Sequence, residues 1–104
     1  MSSAACELSY PCGTNYRGAV AEGLPEGVGQ LCMPSGVVCT GNFSGGEAHG
    51  VCVQRMPNGS TYVGEFRRGR RYGRGYMLLV TGQRIDGEWA DGVYLLPYST
   101  KKNV

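Results

Sequence analysis

Five arginines lie close together in one short segment of the chain. They fall within eight residues, interrupted by two glycines and Tyr72: Arg67, Arg68, Arg70, Arg71 and Arg74. Surface cations attract anionic groups, and the placement of these arginines does not distinguish an anionic lipid from an acidic protein partner. This segment is the candidate anion-binding or partner-binding site. A solvated hairpin tip is the blander explanation of the same residues.

The other reactive side chains form no pattern of a catalytic or metal site. The five cysteines, which contain no C-x-x-C pair, are Cys6, Cys12, Cys32, Cys39 and Cys52. An odd number without a secretory signal favours free thiols that fill space rather than bind metal. The single histidine, His49, precedes a glycine and is predicted to be a turn residue. No nucleophile–base motif or cofactor loop is present, so we predict no enzyme, no catalytic residue, no metal and no cofactor.

Composition limits the classes of partner. The 104 residues are enough for one domain, and a net charge of +2 is too small to predict nucleic-acid binding. No apolar stretch approaches the roughly 20 residues that a transmembrane helix needs. We therefore expect a cytoplasmic location and no nucleic-acid partner.

A 23-residue repeat supplies the elements that must position the arginines. Tyr16-Arg17-Gly18 is followed at this interval by Cys39-Thr40-Gly41, Tyr62-Val63-Gly64 and Ile85-Asp86-Gly87. A period of this length indicates an array of small units that bury a core only when stacked. The spacing predicts one domain over 1–104, with a half-repeat 4–15, repeats 16–38, 39–61 and 62–84, a half-repeat 85–96 and a tail 97–104.

Within one repeat, the pattern is that of a β-hairpin and a connecting turn. In the clearest unit, residues 62–66 alternate like a half-buried strand, 67–73 are predicted as a turn, 74–79 as the returning strand and 80–83 as the next turn. Eighteen glycines argue against helix. We predict an all-β, elongated, single-layer twisted antiparallel sheet of repeated hairpins, with eight strands and negligible helix.

Alternation along the strands predicts the core. Residues two apart share a face, which gives two ladders separated by a glycine row: Tyr16/Cys39/Tyr62/Ile85 and Val20/Phe43/Phe66/Trp89. The aromatic members are Tyr16, Phe43, Tyr62, Phe66 and Trp89. We interpret them as core, with an aromatic-lined binding groove as the alternative.

The segment from Tyr62 to Gly75 resembles the MORN repeat (membrane occupation and recognition nexus). Its features are Tyr-x-Gly-Glu-Phe, two polar residues and a Gly-x-Gly pair, on a 23-residue period. This chain departs from the pattern at Cys39 and Ile85, which replace the opening aromatic, and at Cys52, which replaces the second glycine of the pair. The resemblance implies cytoskeletal or membrane-proximal scaffolding, and self-association through terminal repeats at the sheet edges.

Two functions are therefore open. The first is a non-enzymatic interaction or scaffold module with a protein partner. The second is a peripheral membrane adaptor, in which the arginines bind anionic phosphoinositide head groups at roughly 1 kcal/mol each. Because Gly69 and Gly73 bracket Arg70 to Tyr72, we predict that this segment is the third hairpin turn, with all five arginines in solvent.

Overall fold

A computed structural model describes residues 6–96, so the predicted tail 97–104 and the first two residues of the half-repeat 4–15 lie outside the described residues. Between 6 and 96 the chain is all-β and contains no helix. Its strands form one antiparallel sheet in chain order. They are β1 (Cys6–Ser9), β2 (Asn15–Ala21), β3 (Leu24–Cys32), β4 (Val38–Ser44), β5 (Glu47–Arg55), β6 (Thr61–Arg67), β7 (Arg70–Leu78), β8 (Arg84–Ala90) and β9 (Val93–Leu96). The predicted hairpin array is confirmed.

The expected number of strands was wrong by one. The described part of the chain has nine strands, because residues after Asp91-Gly92 return as β9 and pair with β8. Asp91 and Gly92 both have positive φ, 51° and 86°. Asp-Gly is a favoured sequence for a two-residue hairpin turn whose twist matches that of the flanking strands.

The predicted turn over Arg70–Tyr72 was also wrong. The third hairpin turns at Arg68-Gly69, with φ of 54° and 80°, and Arg67 pairs with Arg70. Arg70 therefore already lies in β7. Gly73, with φ of 74°, instead lies opposite the register shift between Gly64 and Phe66. Arg68 and Gly69 supply the two positive-φ residues that the turn needs, so Gly73 belongs to a β-bulge.

The two predicted ladders lie on one face of the sheet, which we call the core face. All five members of the aromatic ladder are buried, with exposed fractions from 0 to 4 %. Cys39, Ala48 and Cys52 complete this cluster. The opposite face, which we call the outer face, exposes Val28 at 66 % and Val51 at 58 %.

A single layer buries these rings because they lie over bare backbone. A Cβ placed on Gly29 would collide with the ring of Tyr16, and one on Gly75 with the ring of Tyr62. Each tyrosine is then covered edge-on by an aromatic residue of the following repeat. The ring centroids lie 5.2 Å apart for Tyr16–Phe43 and 4.9 Å for Tyr62–Trp89, a favourable geometry for aromatic pairs.

The hairpin tips are fixed relative to one another by backbone hydrogen bonds. The amides of Gly46, Gly69 and Gly92 each donate to a carbonyl in the preceding hairpin, at 2.9–3.0 Å. The described array measures 52 × 24 × 24 Å. These bonds hold the arginine-bearing tip at a defined place along the array.

Candidate partner-binding surfaces

The structure divides the five arginines between different surfaces. Arg67, Arg68 and Arg70 are exposed at the tip of the β6–β7 hairpin, and Arg74 is exposed on the outer face of β7. Arg71 pairs with Phe66 and lies half-buried on the core face. The prediction that all five point into solvent at a turn was therefore wrong for Arg71, since alternation along β7 turns it to the opposite face.

The tip forms a small concavity. A space of about 260 Å³ is lined by Arg67, Arg68, Tyr72 and Asp91. The Arg67 guanidinium carbon lies 4.8 Å from the centre of the Tyr72 ring, which is within cation–π range. Two cations could attract an anion, but the Asp91 carboxylate in the same concavity opposes it.

Arg71 has a different environment. Its Nε donates to Oε1 of Gln54 at 2.9 Å, and Nη2 lies 3.9 Å from the sulfur of Met56. Its guanidinium carbon lies 5.1 Å from the Tyr62 ring centre. Burial lowers the pKa of Arg71, and Tyr62 and Cys39 act in the opposite direction. An arginine remains charged under such conditions, so a cation sits among apolar side chains.

A half-exposed apolar border surrounds the buried cluster on the core face. These side chains pack against the cluster without being covered themselves: Leu8, Tyr10, Val20, Leu31, Met33, Val37, Met56 and Met77. They come from the first half-repeat and from all three full repeats. The border therefore runs along the sheet and is not confined to one hairpin.

A second concavity lies near the first strands. A space of about 440 Å³ is lined in part by Glu7, Asn15, Arg17 and Gln30. Its arginine already forms an ion pair with Glu7. The cation at this site is therefore satisfied within the chain, in contrast to Arg71.

Comparison with known families agrees with the geometry. The sequence model of the MORN repeat matches residues 16–38, 39–61 and 62–84, which are the three full repeats predicted from the 23-residue period. The chain belongs to the MORN repeat family. A search of curated proteins found no match. Membership supports a repeat-based interaction module in general.

The second MORN repeat replaces a buried ring by two thiols, and sequence reasoning missed how they are related. Cys39 stands where the flanking repeats have tyrosine, and Cys52 stands where they have the glycine beneath that tyrosine. The Cys52 thiol donates to the carbonyl of Asn42 at 3.1 Å. Both departures fall in one repeat, at positions that are in contact in the other repeats. Their occurrence together was the signal in the sequence that the two thiols are structurally related.

The thiols are poorly suited to chemistry. Burial raises the pKa of Cys39 and that of Cys52 above the ordinary value, and a protonated thiol is a weak nucleophile and metal ligand. All five cysteines are free. Within residues 6–96, no three His, Cys, Asp or Glu side chains form a group that could hold a metal ion.

Two remaining sequence predictions concern His49 and membrane-spanning helices. His49 is exposed in β5, so its prediction as a turn residue was wrong, because the tip lies earlier at Gly45-Gly46. The described residues contain no helix long and apolar enough to cross a membrane.

Proposed function

We propose that this MORN-repeat chain is a non-enzymatic protein-interaction module that binds a partner polypeptide along its core face. The observation that carries the proposal is the half-exposed apolar border, which extends from Leu8 to Met77 along the sheet. Exposed apolar surface grouped on one face in this way is a mark of protein-binding sites. Scaffolding beside the cytoskeleton or a membrane is the setting that we expect for such a module.

The composition of the border supports a polypeptide partner. Met33, Met56 and Met77 supply flexible, polarizable side chains that adapt to irregular surfaces. The buried rings beneath them provide a rigid floor, because each tyrosine is fixed over a glycine and covered by an aromatic neighbour. Flexible methionines over rigidly held rings suit a partner whose side chains enter between the methionines.

Two double variants of equal charge separate the core face from the outer face. Met33→Glu with Met77→Glu places carboxylates on the apolar border. Val28→Glu with Val51→Glu places them on the outer face, at valines that are already well exposed. Both proteins, together with the wild type, would be used as bait in a quantitative affinity capture from cell lysate, after urea unfolding has shown that each is folded.

We expect proteins captured by the wild type to be retained by the outer-face variant and lost at least tenfold by the core-face variant. The opposite result, with loss only for the outer-face variant, would assign docking to the outer face. Equal capture by all three baits would remove the apolar border from the interaction.

A second candidate function is membrane association through the third hairpin tip. The observation that favours it is the concavity in which Arg67 and Arg68 converge beside Tyr72. The first tip carries Glu22 and the second is followed by Glu47, so the positive charge is local to the third. Attraction to anionic lipid would weaken with salt, because exposed charges are screened over about 8 Å at 0.15 M.

Liposome co-sedimentation with phosphoinositide vesicles tests this candidate. The tip variant Arg67→Gln, Arg68→Gln, Arg70→Gln is compared with a control that loses the same charge elsewhere, Arg17→Gln, Arg55→Gln, Arg84→Gln. We expect binding at low salt to be lost only for the tip variant. Equal loss for both would show that net charge alone is responsible, and no binding by the wild type would leave the protein-interaction proposal alone.

A further inference from the structure

Arg71 occupies a repeat position that is apolar elsewhere in the described array. Steps of 23 residues place it in register with Pro25, Ala48 and Tyr94. Pro25 and Ala48 are buried. A charged side chain at this position is therefore a local departure from the repeat, and alternation along β7 directs it onto the core face.

Three departures from the repeat meet at this point of the core face. Cys39 replaces a tyrosine, Gln54 replaces the apolar residue found at Leu31 and Met77, and Arg71 replaces Pro or Ala. Cys39 and Gln54 are direct partners in the β4–β5 register. Gln54 in turn accepts the Arg71 Nε–H at 2.9 Å. One polar cluster thus interrupts the otherwise apolar face, at the second and third repeats.

The donor capacity of Arg71 is largely unused. A guanidinium has five N–H groups, and Arg71 directs one to Gln54 and a second to the Met56 sulfur at 3.9 Å, a weak acceptor. Arg71 takes part in neither the Arg17–Glu7 nor the Arg84–Asp86 ion pair. No carboxylate within the described part of the chain therefore neutralises this half-buried cation, although the Tyr62 ring offsets part of its charge.

We propose that the Arg71 guanidinium binds the carboxylate of an Asp or Glu side chain on the polypeptide that docks along the core face. The inference rests on the proposed function and specifies the partner. A planar carboxylate matches the guanidinium fork through two parallel hydrogen bonds. The pairing also supplies the counter-charge that a partly desolvated cation requires.

The position of Arg71 favours an internal acidic side chain over a chain terminus. The guanidinium contacts Gln54, and the 23-residue equivalents of Gln54 on either side are the border residues Leu31 and Met77. A segment laid along the border would pass Arg71 with apolar residues before and after its acidic residue. A free C-terminal carboxylate at Arg71 would leave part of that border uncovered.

A purely structural role for Arg71 makes a different prediction. The side chain would then only fill the space left by the ring that Cys39 lacks, and the guanidinium would not respond to added carboxylate. The wild-type protein can therefore be tested directly, without relying on a variant that may have lost packing.

Three N-acetylated tripeptides serve as probes in an NMR titration of the ¹⁵N-labelled protein. They are acetyl-Leu-Glu-Leu-amide, its Gln counterpart, and acetyl-Leu-Leu-Leu with a free C-terminal carboxylate. We expect the Glu peptide to shift the Arg71 Nε–H signal at a concentration about tenfold or more below that needed for the Gln peptide, as a charge-assisted hydrogen bond implies. The Gln54 side-chain amide, which contacts the guanidinium, is followed in parallel because Arg71→Gln has no Nε–H. Arg71→Gln should remove the difference at Gln54, whereas Arg68→Gln should retain it.

Equal shifts from the Glu and Gln peptides, or no shift at Arg71, would overturn the inference. Tighter binding of the free-carboxylate peptide would overturn the choice of an internal side chain. The proposed function fails separately, since it depends on the Met33/Met77 capture experiment. Loss of capture by the Met33/Met77 variant without a response at Arg71 would support the interaction module and contradict only the carboxylate inference. A response at Arg71 without loss of capture would show that Arg71 binds carboxylate and contradict partner binding along the apolar border.

Discussion

The second and third MORN repeats provide the same hydrogen bond by different means. In the third, the Tyr62 ring lies over Gly75 and its hydroxyl donates to the carbonyl of Glu65 at 3.3 Å. In the second, Cys52 replaces the glycine and its thiol donates to the carbonyl of Asn42 at 3.1 Å. Asn42 and Glu65 are equivalent positions, each at the register shift of its hairpin.

In each full repeat, the carbonyl at the register shift accepts a side-chain hydrogen bond. The first repeat agrees with the third, because the Tyr16 hydroxyl donates to the carbonyl of Ala19 at 2.6 Å. Leaving a buried acceptor without a partner costs about 1–3 kcal/mol. A tyrosine over a glycine supplies this donor in the first and third repeats, and the Cys39–Cys52 pair supplies it in the second. The smaller pair leaves room near Cys39 for the polar contact of Gln54 and Arg71.

The largest expected difference between the two repeats concerns the opening residue. Tyr62→Ala should lower the free energy of unfolding by about 4 kcal/mol, as for other fully buried aromatic residues. Cys39→Ala at the equivalent position should cost about 1 kcal/mol, because little volume is lost. Urea unfolding of both variants measures the two free-energy differences. Equal values would show that the Tyr62 ring does not stabilise the third repeat more than Cys39 stabilises the second.

The second test introduces alanine beneath each site. Gly75→Ala should cost about 3 kcal/mol, because its methyl group would occupy the place of the Tyr62 ring. Cys52→Ala should cost only about 1 kcal/mol, chiefly from the lost thiol donor. Gly75 does not have a positive φ, so backbone strain does not contribute. A cost below about 0.5 kcal/mol for Gly75→Ala would contradict the placement of the ring.

A double-mutant cycle tests whether a pair of cysteines can replace the tyrosine and glycine of the third repeat. Tyr62→Cys alone leaves both a cavity and the Glu65 carbonyl unsatisfied, and Gly75→Cys alone collides with the ring. Together they recreate the Cys39–Cys52 arrangement, so we expect a favourable coupling of about 1–2 kcal/mol. Additivity within about 0.5 kcal/mol would show that the two positions are independent.

The smallest effect is expected in alkaline solution. Burial raises the pKa of Tyr62 to about 12, although the Arg71 charge acts in the opposite direction. A group whose pKa is higher in the folded state stabilises the fold below its unfolded value, near 10, and this contribution is lost as pH rises toward 12. The unfolding free energy of Tyr62→Phe should therefore fall less steeply over this window than that of the wild type.

Tyr72→Phe provides the matched control for this measurement, since Tyr72 is exposed. A Tyr62→Phe profile with the same slope as the wild type would show that the hydroxyl ionises as readily in the folded state as in the unfolded state.

Much of the fold could be predicted from the sequence because the period constrains it repeatedly. The 23-residue step placed Tyr16, Cys39 and Tyr62 in one ladder and Phe43, Phe66 and Trp89 in the other, and the structure buries all six on the core face. Alternation within a strand has a period of two, so a one-residue error would have turned every ring toward solvent. The ninth strand was missed because its apolar residues follow the last recognisable turn.

The candidate site was less predictable because it depends on which face each arginine takes. Local composition grouped five arginines into one turn, but the tip needs only Arg68 and Gly69. Moving the turn by a few residues placed Arg70 in a strand and so directed Arg71 to the core face.

The sequence by itself determined the repeat, the sheet and the ladder residues, since these follow from local alternation and glycine spacing that recur in each unit. Only the tertiary structure decided that Cys52 replaces a tyrosine hydroxyl and that Arg71 meets Gln54 beside Cys39. Those contacts join residues 10 and 17 positions apart in the chain. They depend on strand register and on the space left by an absent ring, neither of which a single strand specifies.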